Sequence, residues 1–358
     1  MIMYLHDDPN INQASGPFFT HEYLTYFSTT PIEQIMKLKP IQVLENPKFN
    51  DYIEGPNHVD IYKENAKRIR DLDIQTANDC LIRYSDFSFK PLLDEKIEPW
   101  KILILYCTEP DMHLDCDLNL HPSQKLTKGS HGYRHMQFKI LGKKFGITDQ
   151  CLDYYKNASI RAKQQGNEYW AWRFLSRATH YCADLGHPFH VKVAPTAVLI
   201  KSLFNLKKYF KIFAAAHNGH EVYTQNRFRM GFIPFKEALI NGSLEGFNSK
   251  NLFKKELCSY SKNAEKMLTS TYKTIINGYG NEFIDIYNVV HQNKEMDSSK
   301  STILAESQAA KLIFKDPNSE ILNTLDTITT KLLFRVGKMI GLLYRDIIPS
   351  LVEEKNKE

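Results

Sequence analysis

Clustered cysteine is what this sequence most plainly lacks. Its six cysteines, Cys80, Cys107, Cys116, Cys151, Cys182 and Cys258, form no CxxC pair and keep no regular spacing, so neither a thiolate zinc site nor a disulfide framework is readable from them. They read instead as small buried side chains. Long apolar runs are missing too, because Lys or Arg interrupts every extended hydrophobic stretch and none reaches the roughly 18 residues of a membrane span. The opening MIMYLHDDPNINQ carries acidic residues where an export signal needs a basic start and an apolar run. A soluble protein is expected, cytoplasmic or exported without a standard signal. A GxSxG elbow, a GxxxxGK[ST] phosphate loop and an HExxH helix are all absent, which argues against the commonest serine-hydrolase, nucleotide-binding and zinc-protease designs.

Runs of alternating apolar and polar residues are also few. Apolar positions recur at three- and four-residue spacing instead, and an all-α fold follows. One or two short helices are expected before residue 55, including His21 to Phe27, then a helix from Asp60 to Leu72. The run WKILILYC at Trp100 to Cys107 reads as helix rather than strand. Pro110, Pro122, Gly129 and Gly132 break the following stretch into a long ordered loop. Its density of His and Asp favours a functional loop. Beyond it, one or two helices are expected over 150–186, ended by Gly186 and Pro188, and others at 200–214, 217–228, 250–277 and 320–347. The polar stretch 296–308 is the best linker candidate, and no internal repeat is present. The 358 residues, 42% hydrophobic and 24% charged, suffice for a large core, and the net charge of +5 suits anionic substrates without identifying one.

Histidine is unevenly placed. Nine of the thirteen lie between His113 and His220, under a third of the chain. In RATHYCADLGHPFH, His180 and Asp184 stand four residues apart and so project from one helical face. His190 follows after the Gly186 and Pro188 break. An imidazole and a carboxylate one turn apart can grip a single borderline cation, and the carboxylate's second oxygen can reach another. AAAHNGHEVY repeats the arrangement with His217 and Glu221, and two such pairs on neighbouring helices can enclose metals between them. Upstream, HGYRH adds His131 and His135, while TEPDMHLDCD adds Asp111, Asp115 and Asp117. This donor set suits zinc, although ligand type alone also admits manganese or iron. A lone HxxxD pair is more often a surface ion pair; two pairs with His135 and His190 beside them are not. For His113, His121, His187 and His220, loop or supporting positions are expected, and Trp170, Trp172 and Phe174 read as core.

The pattern HxxxDxxxPxH, as His180, Asp184, Pro188 and His190, followed by HxxxE, as His217 and Glu221, resembles the bacterial zinc-dependent phospholipases C and the related fungal and plant single-strand nucleases. The likeness covers about residues 105–225 and is faint elsewhere. It implies a multi-helix domain over 1–295, with 309–358 as a C-terminal helical extension packed on it, and a cluster of two or three zinc ions. Asp111, His135, His180, Asp184, His190, His217 and Glu221 are the implied ligands. Asp184 would bridge two ions, and Asp111, with Asp115 as an alternative, would also serve as base toward the attacking water. The secreted members supply a third zinc from an N-terminal Trp and a nearby His. Here the first Trp is Trp100, and His21 or His58 is left to take that histidine's place.

The resemblance implies a phosphodiester substrate, a phospholipid head group first and single-stranded nucleic acid second. Peripheral contact with a membrane would accompany the first. Bases of a single strand would need aromatic platforms, for which Tyr133, Phe138 and Phe189 are candidates. A non-catalytic, metal-stabilised scaffold is the rival of another class, and it would keep no open coordination position.

Overall fold

The computed structural model describes residues 20–44, 95–112, 120–122, 124, 131–140, 142–202, 206–292 and 319–352. The expected helix at 60–72, the linker at 296–308, and His58, His113, Asp115, Asp117, Cys80 and Cys116 lie outside them. The described chain is all-α apart from two small antiparallel pairs of strands. Helices α1 (Thr20–Thr29) and α2 (Glu33–Met36) lead to strand β1 (Ile41–Gln42), which pairs with β2 (Lys96–Ile97). Helix α3 (Pro99–Leu105) follows and bears out the helical reading of the WKILILYC run. A 3-10 turn at Pro110–Met112, helix α4 (His131–His135) and the hairpin β3 (Phe138–Ile140) with β4 (Lys143–Phe145) come next. The expected loop is thus partly helical, since His131 to His135 form a turn of helix.

Helices α5 (Thr148–Gln164) and α6 (Glu168–Asp184) form an antiparallel hairpin. Asn167 starts α6 by accepting the Trp170 backbone N–H at 3.0 Å, and Glu168 places its negative charge in the first turn. Every residue from Tyr169 to Asp184 is buried. A helix covered on all sides must find internal partners for its polar groups. Ser176 donates to the Leu103 carbonyl at 2.5 Å and Thr179 to the Tyr344 hydroxyl at 3.4 Å.

Short helices α7 (Pro188–Val191) and α8 (Thr196–Ser202) then lead into α9 (Leu206–Arg229). Two helices were expected across 200–228, with a break near residue 215; α9 runs through it. Packing overrides the weak helix propensity of Asn218 and Gly219, and Gly219 gives its carbonyl to the Tyr279 hydroxyl at 2.8 Å. Helix α10 (Ile233–Asn248) was not expected at all, and α11 (Phe253–Gln292) extends beyond the expected span, with a break at Gly280 (φ 74°). Helix α12 (Glu320–Val352) completes the fold, packing against α1, α5, α6, α10 and α11 around one continuous core.

Glycine explains how closely α10 and α12 approach. A Cβ on Gly242 or Gly246 would stand 2.1 or 2.0 Å from the carbonyl oxygen of Phe334 or Lys338, and one on Gly337 or Gly341 would stand 2.4 or 2.1 Å from that of Leu239 or Ser243. The obstacles are backbone atoms, which cannot rotate aside. Gly341→Ala is therefore expected to lower the unfolding free energy by about 1–3 kcal/mol or more, read from urea denaturation; an unchanged midpoint would contradict this packing. Of the described cysteines, Cys107, Cys151 and Cys182 are buried as expected and Cys258 is exposed. No helix among the described residues is long and apolar enough to cross a membrane.

Candidate metal centre

Four separate elements converge at the C-terminal end of α6. That helix carries His180 and Asp184 on one face. It ends at Asp184, and two residues on stands Gly186, where a side chain would collide with the Tyr260 hydroxyl, 2.0 Å from the position of a Cβ. Pro188 then opens α7 at a position where its missing N–H is no loss. The tight turn swings His190 back, so that its Nδ1 lies 3.1 Å from Asp184 Oδ1. The Gln137 N–H donates to the His190 carbonyl at 2.7 Å, tying the end of α4, and with it His135, to α7. Asp111 comes from the 3-10 turn, and His217 and Glu221 from one face of α9.

The donor atoms form two adjoining groups. In the first, His135 Nδ1 is 2.8 Å and His180 Nε2 3.3 Å from Asp184 Oδ2, with 3.0 Å between the two nitrogens. Asp111 Oδ1 stands 3.7 and 3.6 Å from those nitrogens. In the second, His190 Nε2 is 2.9 Å from His217 Nε2 and 3.5 Å from Glu221 Oε1, which is 3.0 Å from His217 Nε2. Atoms each about 2.1 Å from a tetrahedral cation stand about 3.4 Å apart. Both groups match that spacing. Asp184 links them: its Oδ2 faces the first group, and its Oδ1 holds His190 through Nδ1, the ring nitrogen opposite the Nε2 that faces His217.

All the residues singled out from the sequence as ligands are thus brought together. His21, left as an alternative to His58, joins them: its Nε2 lies 3.5 Å from Asp184 Oδ1 and 3.9 Å from Asp111 Oδ2, and its ring stacks on His180 at 3.8 Å. Its Nδ1 is buried without a hydrogen-bond partner. His21 (15%), Asp111 (21%) and Glu221 (19%) are the partly exposed side chains of the cluster, so they mark its solvent side. Among the described residues three groupings have their donor atoms close enough for one cation: His135, His180 and Asp184; His21, Asp111 and His180; and His187, His190, His217 and Glu221. His187 was expected to play only a loop or supporting part.

The electrostatics also suit a cation. Burial would raise the Asp184 carboxyl, but His180, His190 and His135 outweigh it and hold the group well below the usual carboxylate range. Burial would lower the His190 imidazole; Asp184 and Glu221 reverse this and push it up to about 10. Burial, followed by Asp184, pushes the neighbouring Cys182 thiol up, so it remains protonated and offers no thiolate. Burial also raises Glu22, beside Asp111 and His180, to about 8. Because a metal ligand must give up its proton, zinc binding at pH 7 is expected to release protons, one of them from His190. Calorimetry in buffers of different ionisation enthalpy reads this directly, and a buffer-independent heat would contradict it.

The surroundings contain one group the sequence reading passed over. Glu109 is 1% exposed and joins two buried cations. Its Oε1 accepts from Arg173 Nε and Nη2 at 2.8 and 2.6 Å, and its Oε2 from Arg177 Nε at 2.5 Å. Arg173 and Arg177 lie one turn apart on a helix that is buried from Tyr169 to Asp184. That spacing was the available signal, since buried guanidinium groups require a buried anion. The aromatic candidates fare differently: Tyr133, Phe138 and Phe189 are each 3% exposed and belong to the core, as do Trp170, Trp172 and Phe174. They offer no open face for a nucleic-acid base. His121, half-buried, gives its backbone N–H to Gln124 Oε1 at 2.9 Å and lies outside all three groupings.

The chain matches no protein-family model, no curated protein and no solved structure. The chemistry of these side chains is therefore the basis for a functional reading.

Proposed function

We propose that this chain is a zinc-dependent phosphodiester hydrolase of the phospholipase C type, with two or three zinc ions held by Asp111, His135, His180, Asp184, His190, His217 and Glu221. The observation that carries this reading is the position of Asp184, whose Oδ2 faces His135 and His180 while its Oδ1 lies 3.5 Å from His21 Nε2 and 3.1 Å from His190 Nδ1. When bound, closely spaced zinc ions polarise a phosphoryl oxygen and make water an effective nucleophile near pH 7. The donor set of imidazoles and carboxylates, with a neutral thiol beside it, fits zinc.

The protein's own groups supply the rest. Three carboxylates, Asp111, Asp184 and Glu221, leave two divalent ions with one positive charge in excess, which attracts a phosphodiester anion. Asp111, partly exposed at the edge of the cluster, would orient a water and accept its proton at a carboxylate oxygen. The buried His135, His180 and Asp184 exclude solvent behind it, which strengthens every charge interaction at the site. No nucleophilic side chain is required, and hydrolysis proceeds without a covalent intermediate.

The burial of Tyr133, Phe138 and Phe189 favours a phospholipid head group over single-stranded nucleic acid. Assays of the zinc-loaded chain on phosphatidylcholine, a water-soluble short-chain analogue and single-stranded DNA test this. Release of a phosphorylated head group is the expected result. Cleavage of DNA alone would move the reading to the nucleases, and no cleavage of any would favour the metal-stabilised scaffold.

A further inference from the structure

His187 lies between the end of α6 and the start of α7, directly before Pro188. One of its ring nitrogens lies within 4.8 Å of the donor atoms of His190, His217 and Glu221. Its ring centroid is 4.8 Å from that of His190 and 5.1 Å from that of His217. His187 Nε2 is 2.9 Å from His220 Nδ1, and His220 Nε2 is 3.2 Å from Thr329 Oγ1. His187 Nδ1 is buried and has no hydrogen-bond partner.

These contacts order the protons. A neutral imidazole has one N–H and one lone pair. If Nε2–H donates to His220 Nδ1, then His220 Nε2–H donates to Thr329 Oγ1 and each contact has one donor and one acceptor. The lone pair of His187 Nδ1 is then left in a buried place with nothing to meet it. A metal-bound imidazole typically donates its other N–H to a fixed acceptor. The relay from His187 through His220 to Thr329 has that form.

We infer that His187 is a fourth protein ligand of the metal held by His190, His217 and Glu221, bound through the ring nitrogen that His220 does not hold. This rests on the metal-dependent reading above. His220 is the positioning residue that fixes the tautomer and angle of the ring. Three imidazoles and a carboxylate would give that ion four protein ligands, the number found in structural zinc sites, and would leave no position open to substrate. Substrate contact then falls to the solvent side of the cluster, at Asp111 and His21.

The test is an anomalous-diffraction map of the zinc-loaded full chain, with chelator competition on the wild type, His187→Ala and His220→Ala. A zinc about 2.0–2.1 Å from a His187 ring nitrogen is expected. One zinc should bind about 10- to 100-fold more weakly in His220→Ala, the usual effect of losing an outer partner, and more weakly still in His187→Ala. Zinc on His190, His217 and Glu221 with solvent in the fourth position, and unchanged affinity in His187→Ala, would overturn this inference and leave the hydrolase reading intact. A wild type that binds no zinc would overturn both. If His187→Ala does not fold, the wild-type map alone decides.

Discussion

Asp184→Asn is expected to remove hydrolytic activity and to lower the zinc content of the purified chain. The substitution keeps shape and volume but replaces a carboxylate that meets His135 and His180 through one oxygen and His190 through the other. An amide has a neutral oxygen on one side and an NH2 donor on the other, so it cannot serve both His135 with His180 and, opposite them, His21 with His190 Nδ1. Loss of a mere outer-shell partner costs about 10- to 100-fold in metal affinity or activity. A residue between two metals should cost more than that. Activity on the short-chain substrate should fall by more than about 100-fold, with an unaltered circular dichroism spectrum as the control for folding. A variant with normal zinc content and normal turnover would remove Asp184 from the bridging position.

Glu109→Ala should be the most destabilising single change near the site. One carboxylate serves both Arg173 and Arg177 in a place closed to water, and the Arg173 guanidinium also lies over the Trp170 and Tyr106 rings at 4.2 and 4.4 Å. Removing the anion leaves two cations buried against each other. Breaking a buried ion pair in this way costs about 3–5 kcal/mol, which urea denaturation would report as a large fall in midpoint. Glu109→Gln retains an acceptor oxygen and should cost less. Glu109 is two residues from Asp111, so the variant should also lose zinc affinity in proportion to the disorder of that turn. A change of under about 1 kcal/mol in Glu109→Ala would mean that solvent reaches these groups.

What could be read from the sequence divides along the length scale of each interaction. His180 with Asp184, and His217 with Glu221, are fixed by the geometry of a single helical turn, and the structure places both pairs in the cluster. His190 follows from the Gly186 and Pro188 break only six residues on. His21 is different, because nothing local in FFTHEYLTYF sets its distance from His180, 159 residues on; stacking on that ring does. His187 is given only a loop or supporting part from the sequence, since a histidine before a proline looks like ordinary loop. Its partner His220, three residues beyond His217, was the clue that both rings face one place.

Helix α10 was hidden for a related reason. Gly242 and Gly246 lower the helix propensity of that stretch, yet they are what allow α12 to lie against it backbone to backbone. Helix propensity is a local quantity, and the helix-to-helix contact that outweighs it is not. The same four-residue glycine spacing recurs at Gly337 and Gly341, and that pairing of spacings was the signal that could have revealed the contact.

Titrating zinc into the chelated full chain while following hydrolysis of the short-chain phosphodiester tests the central claim most directly. Activity should be absent at the start, rise with added zinc and level off when two or three ions are bound per chain. Hydrolysis that persists after chelation, or a chain that retains no zinc at saturation, would contradict it.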